Sequence, residues 1–352
     1  MVTKQGLHKT LGKLLSLSFI VGYLSLAISA CQQPAVYHHN DGLVFGTTYS
    51  ITYESTNDLQ QQVEATLQQV DNALSMFNDS SIITAINRGD SIVPFTPEGD
   101  MFIDVYQLAE LVSQDTNGAF DITVAPLVNA WGFGFSNGAL PDSATVDSLL
   151  TFIGHEKVEY WEENGKRGVN KQDPRTMLDC SAIAKGYGVD AVATMLRNNG
   201  VQNFMVEIGG EVVTQGHNAQ GNLWRIGVIR PSEDMEADGG ELQTVLNVGD
   251  MAMATSGNYR NFYYSGGRKL AHTIDPHTGY PVQHELLSAT VFAPTCAKAD
   301  AYATAFMVLG LKHAQELLRR NEELSAYLIY TDSTGEYCTW HSAAVDNMIA
   351  NQ

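Results

Sequence analysis

The segment ADAYATAFMVLG, Ala299 to Gly310, sets Asp300 and Thr304 four residues apart in an otherwise apolar run. On a helix that spacing projects both side chains from one face, a turn apart. A carboxylate with a hydroxyl is a poor zinc site. It suits a hard cation such as Mg²⁺, which takes few protein oxygens and completes its octahedron with water or phosphate. A structural role is open as well, with Thr304 bonded back to its own helix and Asp300 capping the helix start. A second constellation, LDCSAIAKGYGVD (178–190), reads as a strand ending at Asp179, a turn, and a helix carrying Lys185. Free amides and an ammonium at such a turn suit a pyrophosphate. The segment lacks P-loop spacing, and a solvated helix lysine is the alternative.

Two further stretches carry weaker signals. TNGAFDITVAPLVNAWGFG (116–134) gathers Phe120, Trp131 and Phe133 around Asp121, Pro126 and three glycines. Such density forms either a slot for a planar ring or ordinary core. In ATSGNYRNFYYSGGRKLAHTIDPHTGYPV (254–282), His272 and Asp275 precede a proline turn. They read as an oriented general base or as a structural histidine.

The elements that must position these groups are mixed. LVFGTTYSITY (43–53) alternates like a strand, and Val63, Leu67, Val70 and Leu74 keep a helical period behind Asn57 and Asp58. Helices are predicted at 101–114, at 144–153 before Gly154, and at 183–199 before Gly200. Strands are predicted near 204–208, 223–229, 288–293 and 325–331. The order is not a regular βαβα alternation, so the expected class is an α+β sandwich of largely antiparallel sheet with flanking helices. At 352 residues and 44% hydrophobic the chain is long enough for one large core or two lobes.

The front end is distinct. Lys4, Lys9 and Lys13 appear with no acidic residue, followed by LLSLSFIVGYLSLAISA and Cys31. This is the layout of an export signal, 1–30, and ISAC resembles a bacterial lipoprotein signal with Cys31 lipidated, an uncleaved anchor being the alternative. Residues 31–42 would be a polar tether and 43–345 the folded domain, with the protein membrane-anchored and facing the periplasm or cell exterior. Removing three of the 20 basic residues leaves 17 against 39 acidic ones, a charge of −22. That disfavours nucleic acid and anionic membrane surfaces. Cys180, Cys296 and Cys338 are widely spaced with no CxxC and read first as buried small residues.

Taken in chain order, FGTTYSI, LSMFNDSS, TNGAFDITVAPLVNAWGFG, LDCSAIAKGYGVD, VEIGGEVVTQGHN, ATSGNYRNF, HTIDPHTGYPV and ADAYATA resemble the ApbE family of flavin transferases from about Phe45 to Trp340. The resemblance implies an ApbE-like (T-fold-like) domain. It further implies Mg²⁺-dependent transfer of FMN from FAD to a Thr or Ser hydroxyl of an exported acceptor, such as a membrane redox-complex subunit, with release of AMP. The metal would be held by Asp300, Thr304 and the Ala182 carbonyl. FAD would meet Phe45, Ser75, Met76, Phe77, Ala119, Phe120, Asp121, Asp179, Lys185 and Ile274, with Gly209 and Gly210 allowing close approach. His272 is the candidate base, Lys185 the charge neutraliser, and Asp275 the residue orienting the turn. Alternatives are an FAD pyrophosphatase giving free FMN and AMP, or a flavin-binding lipoprotein without chemistry. A homodimer is common in such proteins. The chain departs from the family pattern at Phe45, where Met usually precedes Gly-Thr, and at LSMF, where Met-Ser-Thr-Tyr is common.

Overall fold

The computed structural model describes residues 36–134, 139–231, 241–258, 262–265 and 267–350. The signal segment and Cys31 lie outside them. The chain divides into two compact units. Of the first, 1–36 with 55–58, only Val36 and residues 55–58 are described; the second, 37–54 with 59–352, carries the features below.

In chain order, strands β1 (Val36–Val44) and β2 (Thr47–Ser55) are followed by helices α1 (Gln60–Leu74), α2 (Ile82–Asn87), α3 (Pro97–Asp115), α4 (Ala125–Ala130) and α5 (Ser143–Leu150). The hairpin β3 (Val158–Glu163) and β4 (Lys166–Lys171) leads to α6 (Ala184–Asn198), β5 (Phe204–Ile208) and β6 (Glu211–Gln215). Next come β7 (Trp224–Ile229), β8 (Leu242–Val248), β9 (Met251–Gly257), β10 (Phe262–Ser265) and β11 (Arg268–Ala271). The chain closes with β12 (Leu286–Ala293), α7 (Cys296–Arg320), β13 (Ser325–Thr331) and β14 (Tyr337–His341).

One eight-stranded sheet, ordered β1-β2-β5-β6-β9-β12-β13-β14, organises the fold. Its pairings from β2 through β14 are antiparallel. Alternation sorts the side chains between two cores. Val213, Ala252 and Val291 face the helices, while Val212, Met253 and Phe292 face the β7–β8 hairpin with Trp224, Val228 and Leu246. Central β12 is covered on both faces, which is why it is almost continuously buried rather than alternating. On the helical side α1 buries Val63, Leu67, Val70 and Leu74, the expected stripe, against α6 and the sheet. Among the described residues no helix is long and apolar enough to cross a membrane.

Several boundaries differ from expectation. The strand expected across 43–53 is two strands, because Phe45 and Gly46 take left-handed φ of 51° and 74° and close a two-residue hairpin. The tether expected over 31–42 becomes strand from Val36: its polar side chains occupy an edge strand, where one side needs no apolar cover. At the other end Ile349 bridges Leu246, beyond the boundary expected at 345. The helix read over 299–310 is part of α7, which breaks at Gly310 (φ 74°, ψ 173°) and continues to Arg320.

Candidate active site at the meeting of α6, β6 and α7

Lys185 lies in the first turn of α6, Glu211 opens β6, and Asp300 and Thr304 sit on α7. The register of α6 to α7 is pinned by Asp190, whose carboxylate accepts from the Cys296 and Ala297 amides at 2.9 and 2.8 Å. Burial lifts the Asp190 carboxyl to about 6 in spite of those amides. Gly186 must be glycine, since a Cβ there would lie 2.4 Å from the Cys296 carbonyl oxygen. This close approach puts Asp300 against the start of α6: the Gly186 amide donates to Asp300 Oδ2 at 3.1 Å, and Lys185 Nζ lies 3.7 Å from the same oxygen.

Asp300 is 2% exposed and Glu211 3% exposed. Lys185 Nζ donates to Glu211 Oε1 at 2.9 Å, while Glu211 Oε2 is buried with no hydrogen-bond partner. Burial, then the neighbouring Asp300 charge, pushes the Glu211 carboxyl up to about 8 against the pull of Lys185. Burial alone would depress the Lys185 ammonium, but Asp300 and Glu211 outweigh it and hold it above its ordinary value. Neither simpler reading of Asp300 and Lys185 survives. Asp300 does not cap α7, a role taken by Thr295 and Asp190, and the lysine is tied to two buried carboxylates. Thr304 Oγ1 meets Ser256 Oγ of β9 at 3.1 Å.

The donor set fits a hard cation on one further observation. The Gly186 amide would close the first turn of α6 on the Ala182 carbonyl, but it turns to Asp300 instead. No backbone amide then falls on Ala182 O among the described residues. A carboxylate, a hydroxyl and a carbonyl released from the helical ladder form an all-oxygen set.

Strand β9 carries the geometry onward. Two residues past Ser256, Asn258 Oδ1 accepts from Thr273 Oγ1 at 2.7 Å, beside His272. His272 meets the Phe133 ring edge-on at 6.4 Å, and Phe133 packs on Tyr263 at 5.1 Å. Asp275 bonds within its own turn. Its oxygens accept from the His277 amide (2.9 Å) and Thr278 hydroxyl (2.9 Å), with His277 Nδ1 at 3.2 Å. His277 Nε2 then reaches the Asn117 carbonyl at 2.8 Å, binding this turn to the 116–134 loop. Ile274 is buried with Leu127 and Trp131.

The remaining residues divide between exposed and buried positions. Ala119 and Phe120 are buried in the core, and the Ile122 carbonyl accepts from the Asp179 amide at 2.6 Å, so the two loops meet there. Asp121 engages both oxygens within the protein: Oδ1 with the Thr123 amide and hydroxyl, each 2.7 Å, and Oδ2 with the His155 amide, 2.8 Å. Ser75, Met76 and Phe77 follow α1. Met76 packs on the core, while Phe77 is 78% exposed, a large aromatic held at the surface. Phe45 lies partly buried between two core clusters, close to α6: a Cβ on Gly188 would come within 2.7 Å of its ring.

Glu211, Asp190, Ser256, Asn258 and His277 were not singled out from sequence. A charged residue following Gly209-Gly210 and preceding an apolar pair was the visible signal for Glu211; the others act through partners distant in the chain.

The ApbE family model matches residues 45–328. An FAD:protein FMN transferase of Salmonella typhimurium is 33% identical over 309 residues, covering 86% of each chain. One from Vibrio cholerae is 35% identical over 319 residues, 87% of this chain and 92% of that one. Among solved structures, the flavin transferase ApbE from Vibrio cholerae superposes with a TM-score of 0.77 at 31% identity, over 90% of this chain and all of that one. The apo flavinyl transferase ApbE of Pseudomonas stutzeri gives a TM-score of 0.77 at 29% identity, over 92% and 99%. With the matched span reaching from the Phe45 turn across α6, β6 and α7, this chain belongs to the ApbE family.

Proposed function

We propose that the protein is an FAD:protein FMN transferase, moving FMN from FAD onto a Thr or Ser hydroxyl of another protein. The observation that carries this reading is the convergence of Lys185 and Asp300, 3.7 Å apart, with Thr304 one turn further along α7. The acceptor hydroxyl oxygen forms a new bond to the FMN-side phosphorus, the bridging P–O bond breaks, and AMP leaves. Lys185 binds the diphosphate and offsets its growing charge. His272 takes the hydroxyl proton on a ring nitrogen, and the Asn258–Thr273 bond holds its loop in place. Phe77 and Phe45 supply apolar surface for the isoalloxazine. Asp300, Thr304 and the Ala182 carbonyl would hold a Mg²⁺ ion, which would supply further neutralisation of the diphosphate. A chain of charge −19 gives such a cation more to do, since an anionic substrate otherwise meets a repulsive field.

The reading extends to location and partners. A lipid on Cys31 anchors the enzyme outside the cytoplasmic membrane. Its acceptor is an exported protein of the membrane redox-complex kind, and it works as a homodimer. The signal-like layout of residues 1–31 supports the anchor.

The test incubates purified protein with FAD and Mg²⁺, with and without a Thr-bearing acceptor domain, and follows AMP release alongside acceptor mass. The expected result is one FMN per acceptor, abolished in Asp300→Ala. AMP with free FMN and no labelled acceptor assigns a pyrophosphatase, and no AMP leaves a flavin binder.

A further inference from the structure

The two carboxylates around Lys185 do not share it equally. Its ammonium makes a hydrogen bond to Glu211 at 2.9 Å but stands 3.7 Å from Asp300, beyond hydrogen-bonding range. Two acids and one base are thus enclosed together, an arrangement that costs free energy unless another cation arrives. The hairpin between β5 and β6 builds this asymmetry. Gly209 and Gly210 take φ of 61° and 102°, and Gly209 packs so closely that an added Cβ would touch Thr47 at 2.8 Å and the Lys185 stem at 3.4 Å. The Gly209 amide donates to Thr48 O at 3.0 Å, tying the turn to β2. Glu211 is therefore held where it draws the ammonium to one side.

We propose that Glu211 is a positioning residue that detains Lys185, so that the lysine does not close a full ion pair on Asp300 and the Asp300 carboxylate stays open to a divalent cation. This inference rests on the metal reading given under the proposed function. Two geometric facts support it: the only hydrogen bond to the Asp300 carboxylate among the described residues is the single one from Gly186, and Glu211 keeps one oxygen, Oε2, with no hydrogen-bond partner. Were Glu211 uncharged, the ammonium would have one carboxylate left to neutralise, and that is the cation's ligand. Ammonium and metal would then compete for the same oxygen.

The test is direct titration of the full chain with Mn²⁺ alone, by calorimetry and by the loss of the free-ion resonance signal, without FAD. The titration is run above pH 8, where the Glu211 carboxyl is ionised; there Glu211→Gln keeps the shape of the side chain and removes its charge. It is expected to weaken Mn²⁺ binding by about 10- to 100-fold, the usual range for loss of a group that orients a metal ligand. In a Lys185→Met background the same change is expected to have no effect, because Glu211 acts through the lysine. Equal weakening with and without Lys185 would mean that Glu211 acts only as a nearby charge, and would overturn the proposal. Unaltered affinity in Glu211→Gln, with melting showing a folded protein, also overturns it. If the unaltered protein shows no binding that Asp300→Ala removes, the metal reading fails and takes this inference with it.

Discussion

Two groups of carboxylates in this molecule are built on opposite plans. In the loops around 116–134 and 272–280, Asp121 accepts three hydrogen bonds and Asp275 at least two, from neighbours close in the chain or from an adjoining loop. At the junction of α6, β6 and α7, Asp300 and Glu211 are at least as deeply buried yet accept one described hydrogen bond each. A satisfied carboxylate has no capacity left for a ligand and serves as scaffold. One buried with unused lone pairs is costly to fold and so marks where something else must bind. Asp121 was expected beside the flavin. Its oxygens brace the turn that follows Ala119 and Phe120.

The contrast is tested most severely at Asp300. Asp300→Ala is expected to lower FAD-dependent AMP release by about 10³-fold, the size of effect seen when a principal electrostatic stabiliser is lost, while thermal stability holds or rises because one of two crowded acids is gone. A large fall in melting temperature would place Asp300 with the scaffold group instead. The next effect concerns pH. Burial, then the Asp300 charge, raises the Glu211 carboxyl in the metal-free fold to about 8, against about 4.3 in an unfolded chain, so the charge that detains Lys185 is present above that pH and lost below it. Between the two values the folded state holds a proton that the unfolded state has lost, and stability falls as pH climbs. Urea melts between pH 5 and 8 are expected to show a decline on the order of a few kcal/mol that flattens in Glu211→Gln. No difference between the two curves would mean that Glu211 keeps its charge throughout, so that the lysine is detained at every pH.

On the scaffold side, Asp121→Ala orphans the Thr123 and His155 amides. It is expected to cost about 2–3 kcal/mol in urea melts, with AMP release per folded molecule largely kept. A loss of turnover without loss of stability would move Asp121 to the ligand side. The smallest effect is expected from His277→Ala, which unties two loops at an exposed histidine: about 1 kcal/mol or less, with faster proteolytic cutting near Asn117 as the readout.

What could be read from sequence follows the range of the interaction concerned. Asp300 and Thr304 were legible because a helix places i and i+4 together by its own geometry, and Lys185 because glycines and a helix start surround it. The alternating pattern at 204–208 and the helical stripe from Val63 to Leu74 followed from local periodicity as well. Glu211 was not legible: its meaning depends on Lys185, 26 residues away, and on the sheet register that turns it inward. The same holds for Asp190, which caps a helix 106 residues further on. The edge strand before residue 43 was missed because its polar residues resemble a linker unless the neighbouring strand is known.

The contact between Phe45 and Gly188 has a consequence for descent. A methyl group at 188 would collide with the ring at 2.7 Å, and the ring is held by a left-handed turn that β2 and the β1 edge fix from both sides. Enlarging residue 188 therefore requires the ring at 45 to move or be trimmed, which couples two positions that lie far apart in the gene.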